Sequence, residues 1–112
     1  MSRRGKVIDE TEQAVASGKH VISAVPCGVI SVILTAPAAT ECSVKLYDTT
    51  TTALADDAET AKETKKGLLC GGTADIAASE VYCPCKPDAF STGLVAFVAG
   101  VGAVAYITIE PV

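Results

Sequence analysis

Alternation of apolar and polar residues with a period of two is the clearest pattern in this chain, and it is most regular over residues 41–47. Cys42, Val44 and Leu46 fall on one face of an extended segment, and the polar residues between them fall on the other. A strand with one buried side and one solvent-exposed side is typical of an antiparallel sheet packed on a core.

Short apolar or β-branched runs, separated by Pro and Gly, predict further strands. The runs are 20–25, 29–35, 67–70, 79–83, 93–99 and 103–110. Gly100 and Gly102 can supply the positive φ that a tight hairpin between the last two runs requires. We therefore expect about seven or eight short strands and an all-β fold, a single-domain antiparallel β-sandwich or jelly roll.

Two segments lie outside this pattern. Residues 1–12 are polar and charged and predict an N-terminal arm or a late-ordering first strand, followed by the sandwich domain at 13–112. The basic residues of the arm are Arg3, Arg4 and Lys6. They belong either to a solvated tail or to an arm that lies on an acidic partner surface. Residues 53–66 form a charged insertion, predicted as a short helix or as a polar loop.

Composition excludes several classes of protein. Of the 112 residues 49% are hydrophobic, which is too many for a disordered chain. The net charge of −4 argues against nucleic-acid binding, which depends on Lys and Arg at phosphates. No apolar stretch reaches the ~20 residues of a membrane helix, and the first residues lack a signal-peptide core, so we expect neither membrane insertion nor export.

Candidate catalytic residues are few. The only histidine, His20, lies in a strand pattern without a nucleophile signature nearby. The carboxylates at 56, 57, 59 and 63 lack the spacing of a calcium loop and are balanced by neighbouring lysines. We therefore predict no enzyme activity, no cofactor and no metal site.

The five cysteines are the most informative residues. Their spacing does not form the paired knuckles of a zinc site. Cys42 lies on the dry face of its strand and is a candidate buried thiol. The others flank Pro or Gly at turns and strand ends, where surface exposure is expected. The candidate cross-linking residues are Cys27, Cys70, Cys83 and Cys85. Because five is odd, complete oxidation requires at least one bond to another chain.

Three segments resemble small β-sandwich virion proteins of tailed bacteriophages: 29–36 (VISVILTA), 43–50 (SVKLYDTT) and 90–106 (FSTGLVAFVAGVGAVAY). The charged segment 53–66 and the cysteines depart from that pattern. The resemblance implies a structural protein that decorates or links capsid subunits and stabilises the particle. The cysteines suggest in addition that intermolecular disulfides reinforce the particle.

The resemblance also implies partners and a location. The partners would be the major capsid protein or neighbouring subunits, in a homo-oligomer or larger assembly on the capsid surface, after synthesis in the host cytoplasm. A neck, collar or tail-fibre component and a carbohydrate- or receptor-binding module are the alternatives. The low aromatic content, 4%, counts against sugar binding, which commonly stacks on Trp or Tyr.

Overall fold

Nine strands in two antiparallel sheets make up the described part of the chain. The computed structural model describes residues 10–52, 64–72 and 76–111, with the backbone alone at 64–70. The strands are β1 (Thr11–Ala16), β2 (Gly18–Ser23), β3 (Cys27–Ala36), β4 (Glu41–Tyr47), β5 (Thr64–Gly71), β6 (Ala78–Tyr82), β7 (Asp88–Phe90), β8 (Leu94–Ala99) and β9 (Val104–Pro111). None of the described residues forms a helix long and apolar enough to cross a membrane.

The two sheets pack on each other as a β-sandwich. Sheet I has the strand order β1-β9-β3-β6, with β7 pairing along β3 as well. Sheet II has the order β2-β8-β4-β5. The predicted all-β antiparallel sandwich is thereby confirmed.

Alternate residues of both sheets fill one core. In β4, Cys42, Val44 and Leu46 are each 1% exposed, as the alternation predicts. Ala105 and Ile107 of β9 are fully buried opposite them in the same cluster. The core is built mainly from Val, Leu, Ile and Ala because the chain has few aromatic residues.

The predicted hairpin at the end of the chain is wrong. Strands β8 and β9 do not pair: β8 lies between β2 and β4 in sheet II, and β9 lies between β1 and β3 in sheet I. Gly100 and Gly102 do have positive φ, and the N–H of Ala103 donates to the carbonyl of Gly100 at 3.2 Å. Each strand buries its alternate apolar residues in the common core, so the turn carries the chain from one layer to the other.

Two predicted boundaries shift. Strand β1 begins at Thr11, so the sandwich includes the last two residues assigned to the arm. Strand β5 begins at Thr64, so residues 64–66 belong to a strand and not to the charged insertion. Residues 1–9 and 53–63, and with them most of the predicted arm and insertion, lie outside the described residues.

Candidate interaction site

Residues 83–87, the thiol loop, connect two strands that lie along the same edge of β3. Strand β6 pairs with β3 over 32–36, and β7 pairs with it over 27–29. The loop therefore projects from the edge of sheet I at the point where the pairing along β3 is interrupted.

Side-chain contacts at both ends fix the thiol loop. The hydroxyl of Tyr82 donates to Oδ2 of Asp88 at 3.0 Å, joining the residues on either side of the loop. Burial, and then the neighbouring carboxylate of Asp88, raise the pKa of Tyr82, which keeps this donor protonated. Pro87 packs on Gly28, where an added Cβ would lie 2.9 Å from the Cβ of Pro87. The two prolines of the loop restrict φ further.

Cys83 and Cys85 are exposed free thiols on this loop. They are separated by one residue, a spacing that strains any bond between them. The exposure of both side chains is the one that the sequence predicts.

The predicted exposure of Cys27 is wrong. Cys27 is the first residue of β3, where it pairs with Phe90 of β7 and is 1% exposed. Burial raises the pKa of its thiol; the Ser23 hydroxyl lowers it, and the charge of Asp48 raises it again. Cys27 is buried because β3 begins directly after Pro26, so the residue that the sequence places in a turn is already part of the sheet. Cys27 cannot reach another chain in this fold.

The remaining two cysteines lie on neighbouring strands. Cys42 of β4 is buried, and burial followed by the charge of Glu41 raises the pKa of its thiol. Cys70 of β5 stands directly opposite Cys42 in the β4–β5 register. Its backbone alone is described, so its cross-linking role stays a prediction.

The outer face of sheet I carries an apolar row that runs across four strands. Tyr106 of β9 pairs with Ala14 of β1 and with Ile33 of β3, and Ile33 pairs with Val81 of β6. Val81 is 56% exposed and Tyr106 37%. Ala105 and Ile107, on either side of Tyr106, point into the core, so the row must face outwards.

The rows beside it are almost uncharged. One contains Ala16, Val104, Thr35 and Ser79; the other contains Glu12, Thr108 and Ser31. Glu12 is the only charged side chain among these positions. A face with few charges is desolvated at low cost and is typical of a protein contact. We call these three rows the outer face of sheet I.

Sequence reasoning missed this face. The alternation in β9 does show Val104, Tyr106 and Thr108 as an uncharged set. That they adjoin equally uncharged positions of β1, β3 and β6 follows from strand order and register, which the sequence does not display.

The other candidates for chemistry do not assemble into a site. Nε2 of His20 lies 2.7 Å from the carbonyl oxygen of Ala16, a local contact at the β1–β2 junction. Within the described ranges, no three His, Cys, Asp or Glu side chains come together as metal ligands. The carboxylates at 56, 57, 59 and 63 lie outside those ranges.

Comparison with protein-family models, with curated proteins and with solved structures found no match.

Proposed function

We propose that the protein is a structural subunit that binds other protein subunits and is locked to them by disulfides from Cys83 and Cys85. The observation that carries this proposal is the pair of exposed thiols on a fixed loop at the edge of a nearly uncharged sheet face.

The geometry supports intermolecular disulfides from Cys83 and Cys85 for three reasons. The loop is held by Tyr82, Asp88 and Pro87, so the thiols keep a fixed position relative to the sheet. A subunit seated on the outer face of sheet I would border the edge from which the loop projects. A disulfide between the two thiols would be strained, so each thiol is available for a bond to a partner subunit.

Bond formation needs an electron acceptor, for which we propose a small-molecule disulfide. A thiolate of the loop attacks that disulfide and releases one small thiol; the thiolate of the neighbouring subunit then displaces the second small thiol. One small disulfide is thereby reduced to two thiols for each protein disulfide formed.

In its narrower form the proposal places the protein on a tailed-phage virion, decorating or linking capsid subunits. The support is the resemblance of segments 29–36, 43–50 and 90–106 to small virion sandwiches. A neck, collar or tail-fibre position has the same support, and the symmetry of the protein in a particle would separate the two.

Non-reducing and reducing gels of the native source material, with bands identified by mass spectrometry, test the proposal. We expect a ladder that collapses on reduction. Cys83→Ser and Cys85→Ser should each shorten the ladder, and the double variant should abolish it. Cys27→Ala, which removes a buried thiol, is the matched control and should leave it unchanged.

Two results would contradict the proposal. The first is a single monomer band from native material in both lanes. The second is a ladder that persists in the double variant, because the bonds would then involve other cysteines.

A further inference from the structure

A cleft of about 210 Å³ opens at one end of the sandwich, where the β2–β3 connection meets the start of β1 and the end of β9. Its walls include Val25, Pro26, Ile109 and Pro111, with Glu110 as the charged residue.

The cleft leaves one aliphatic side chain of its own wall largely exposed to solvent. Val25 is 62% exposed, although an apolar wall surrounds it. Covering Val25 would remove apolar surface from water, which favours binding. An aliphatic side chain from elsewhere is the complementary occupant.

Charge indicates which segment carries that side chain. Residues 1–9 contain Arg3, Arg4, Lys6 and Asp9, a formal charge of 3 − 1 = +2. The rest of the chain therefore carries −4 − 2 = −6. An apolar pair at 7–8 (Val-Ile) follows directly after the basic residues. This arm therefore offers aliphatic groups for the apolar walls of the cleft and cations for Glu110.

The β1–β9 register argues against an arm that folds back into its own cleft. Pairing ends at Thr11 opposite Ile109, and the next pair would set Glu10 against Glu110. Like charges directly opposite each other destabilise a sheet. An arm that continued this pairing would hold Glu10 beside Glu110, whereas an arm from another molecule is not tied to this register.

The arm is also long enough to reach a neighbour. Nine residues span up to about 30 Å when extended. The sandwich measures 47 × 30 × 19 Å, so an extended arm spans its two shorter dimensions. The cleft and the beginning of β1 lie at the same end of the molecule, because Thr11 itself lines the cleft.

We infer that the cleft binds residues 3–8 of a second copy of this chain, with the aliphatic pair at 7–8 on Val25 and a basic side chain beside Glu110. The inference extends the proposed function by naming a second copy as a partner. The contact is non-covalent and does not involve the thiol loop.

The test uses the full chain carrying Cys83→Ser and Cys85→Ser in reducing buffer, so that failure of the disulfide proposal cannot affect it. Sedimentation velocity over a range of concentrations should show reversible self-association that weakens as salt is added. Deleting residues 2–8, or introducing Val25→Asp, should raise the dissociation constant about tenfold or more.

A mixing experiment separates a second copy from the molecule's own arm. The armless chain keeps an intact cleft, and the Val25→Asp chain keeps an intact arm. Neither should associate alone, but an equimolar mixture should form a heterodimer. Val101→Asp is the matched control, because Val101 is 86% exposed in the β8–β9 turn, away from the cleft.

Each remaining outcome overturns the inference. A parent chain that stays monomeric at every concentration has no such contact. Association that survives both changes uses another surface. Two monomeric variants whose mixture is also monomeric would show that the arm of one chain does not bind the cleft of another. Circular dichroism and thermal unfolding confirm that Val25→Asp, at an exposed position, remains folded.

Discussion

The hydroxyl of Tyr82 and the carboxylate of Asp88 meet at 3.0 Å across the base of the loop that carries both exposed thiols. The first residue ends β6 and the second begins β7, and both strands pair with β3. A hydrogen bond between the two strand ends therefore sets the shape of the segment between them, including the positions of Cys83 and Cys85.

Tyr82→Phe removes this bond and should loosen the thiol loop. We expect a loss of about 0.5–1.5 kcal/mol in the free energy of unfolding, measured by urea denaturation. The yield of cross-linked species should fall although both thiols remain. Asp88→Asn keeps an acceptor for the Tyr82 hydroxyl and is the matched control, with a smaller effect. Equal yields from Tyr82→Phe and the unchanged protein would show that the loop keeps its shape without the bond.

The carboxylate of Asp48, the residue after β4, accepts hydrogen bonds from the turn that precedes β8. Its Oδ2 accepts from the N–H and hydroxyl of Ser91 at 3.1 and 3.2 Å, and its Oδ1 accepts from the N–H groups of Thr92 and Gly93 at 2.8 and 3.4 Å. Burial by itself would raise the pKa of Asp48, but the N–H donors of Thr92, Ser91 and Gly93 outweigh it and lower the pKa below its ordinary value.

Asp48→Asn should destabilise the protein by about 1 kcal/mol near neutral pH, because an amide NH₂ group then faces backbone donors. A carboxylate with a lowered folded pKa stabilises the fold above its unfolded pKa of about 3.9, and this contribution is lost as the pH falls through the folded pKa. The difference between the two proteins, measured by urea denaturation at several pH values, should therefore shrink below about pH 4. A difference that is constant with pH would contradict this role of the charge.

Gly100→Ala should destabilise the protein by about 2 kcal/mol or more. Gly100 has a φ of 117°, and an added Cβ would lie 2.7 Å from Sγ of Cys42 and 2.8 Å from the carbonyl oxygen of Glu41. Gly71→Ala is the control, since its nearest neighbours lie at 3.9 Å or more and its effect should stay within about 0.5 kcal/mol. Similar thermal unfolding of the two variants would refute the close approach at this turn.

Tyr47 is fully buried, and its hydroxyl has no hydrogen-bond partner among the described residues. It forms a small cluster with Val95, its partner across β4 and β8, and Phe97 packs against them. Tyr47→Phe removes a buried polar group without changing the ring, so we expect a gain of up to about 1 kcal/mol in chemical denaturation. The exposed Tyr106→Phe should change stability by less than about 0.5 kcal/mol. A marked loss in Tyr47→Phe would reveal a partner for the hydroxyl.

Local pattern was sufficient for seven of the nine described strands and for much of the core, whereas β1 and β7 lie outside the apolar runs. Val44 and Leu46 could be assigned to the core because a period of two allows one buried face, and the face was visible in seven residues. The exposed thiols Cys83 and Cys85 were also predictable, because Pro84 and Pro87 mark a loop and loops lie at the surface. Cys27 was misassigned because the residue after a proline can be either the end of a turn or the first residue of a strand.

The sequence by itself determined that the protein is an all-β sandwich with an aliphatic core and with thiols on a proline-bounded loop, since these depend on residues close together in the chain. The tertiary structure alone decided which strands are neighbours. It placed β8 and β9 in different sheets, aligned Ala14, Tyr106, Ile33 and Val81 into one row, and brought Thr11, Val25 and Ile109 around one cleft. Strand partners are chosen by the packing of both sheets on a shared core, a property of the whole chain that no short segment contains.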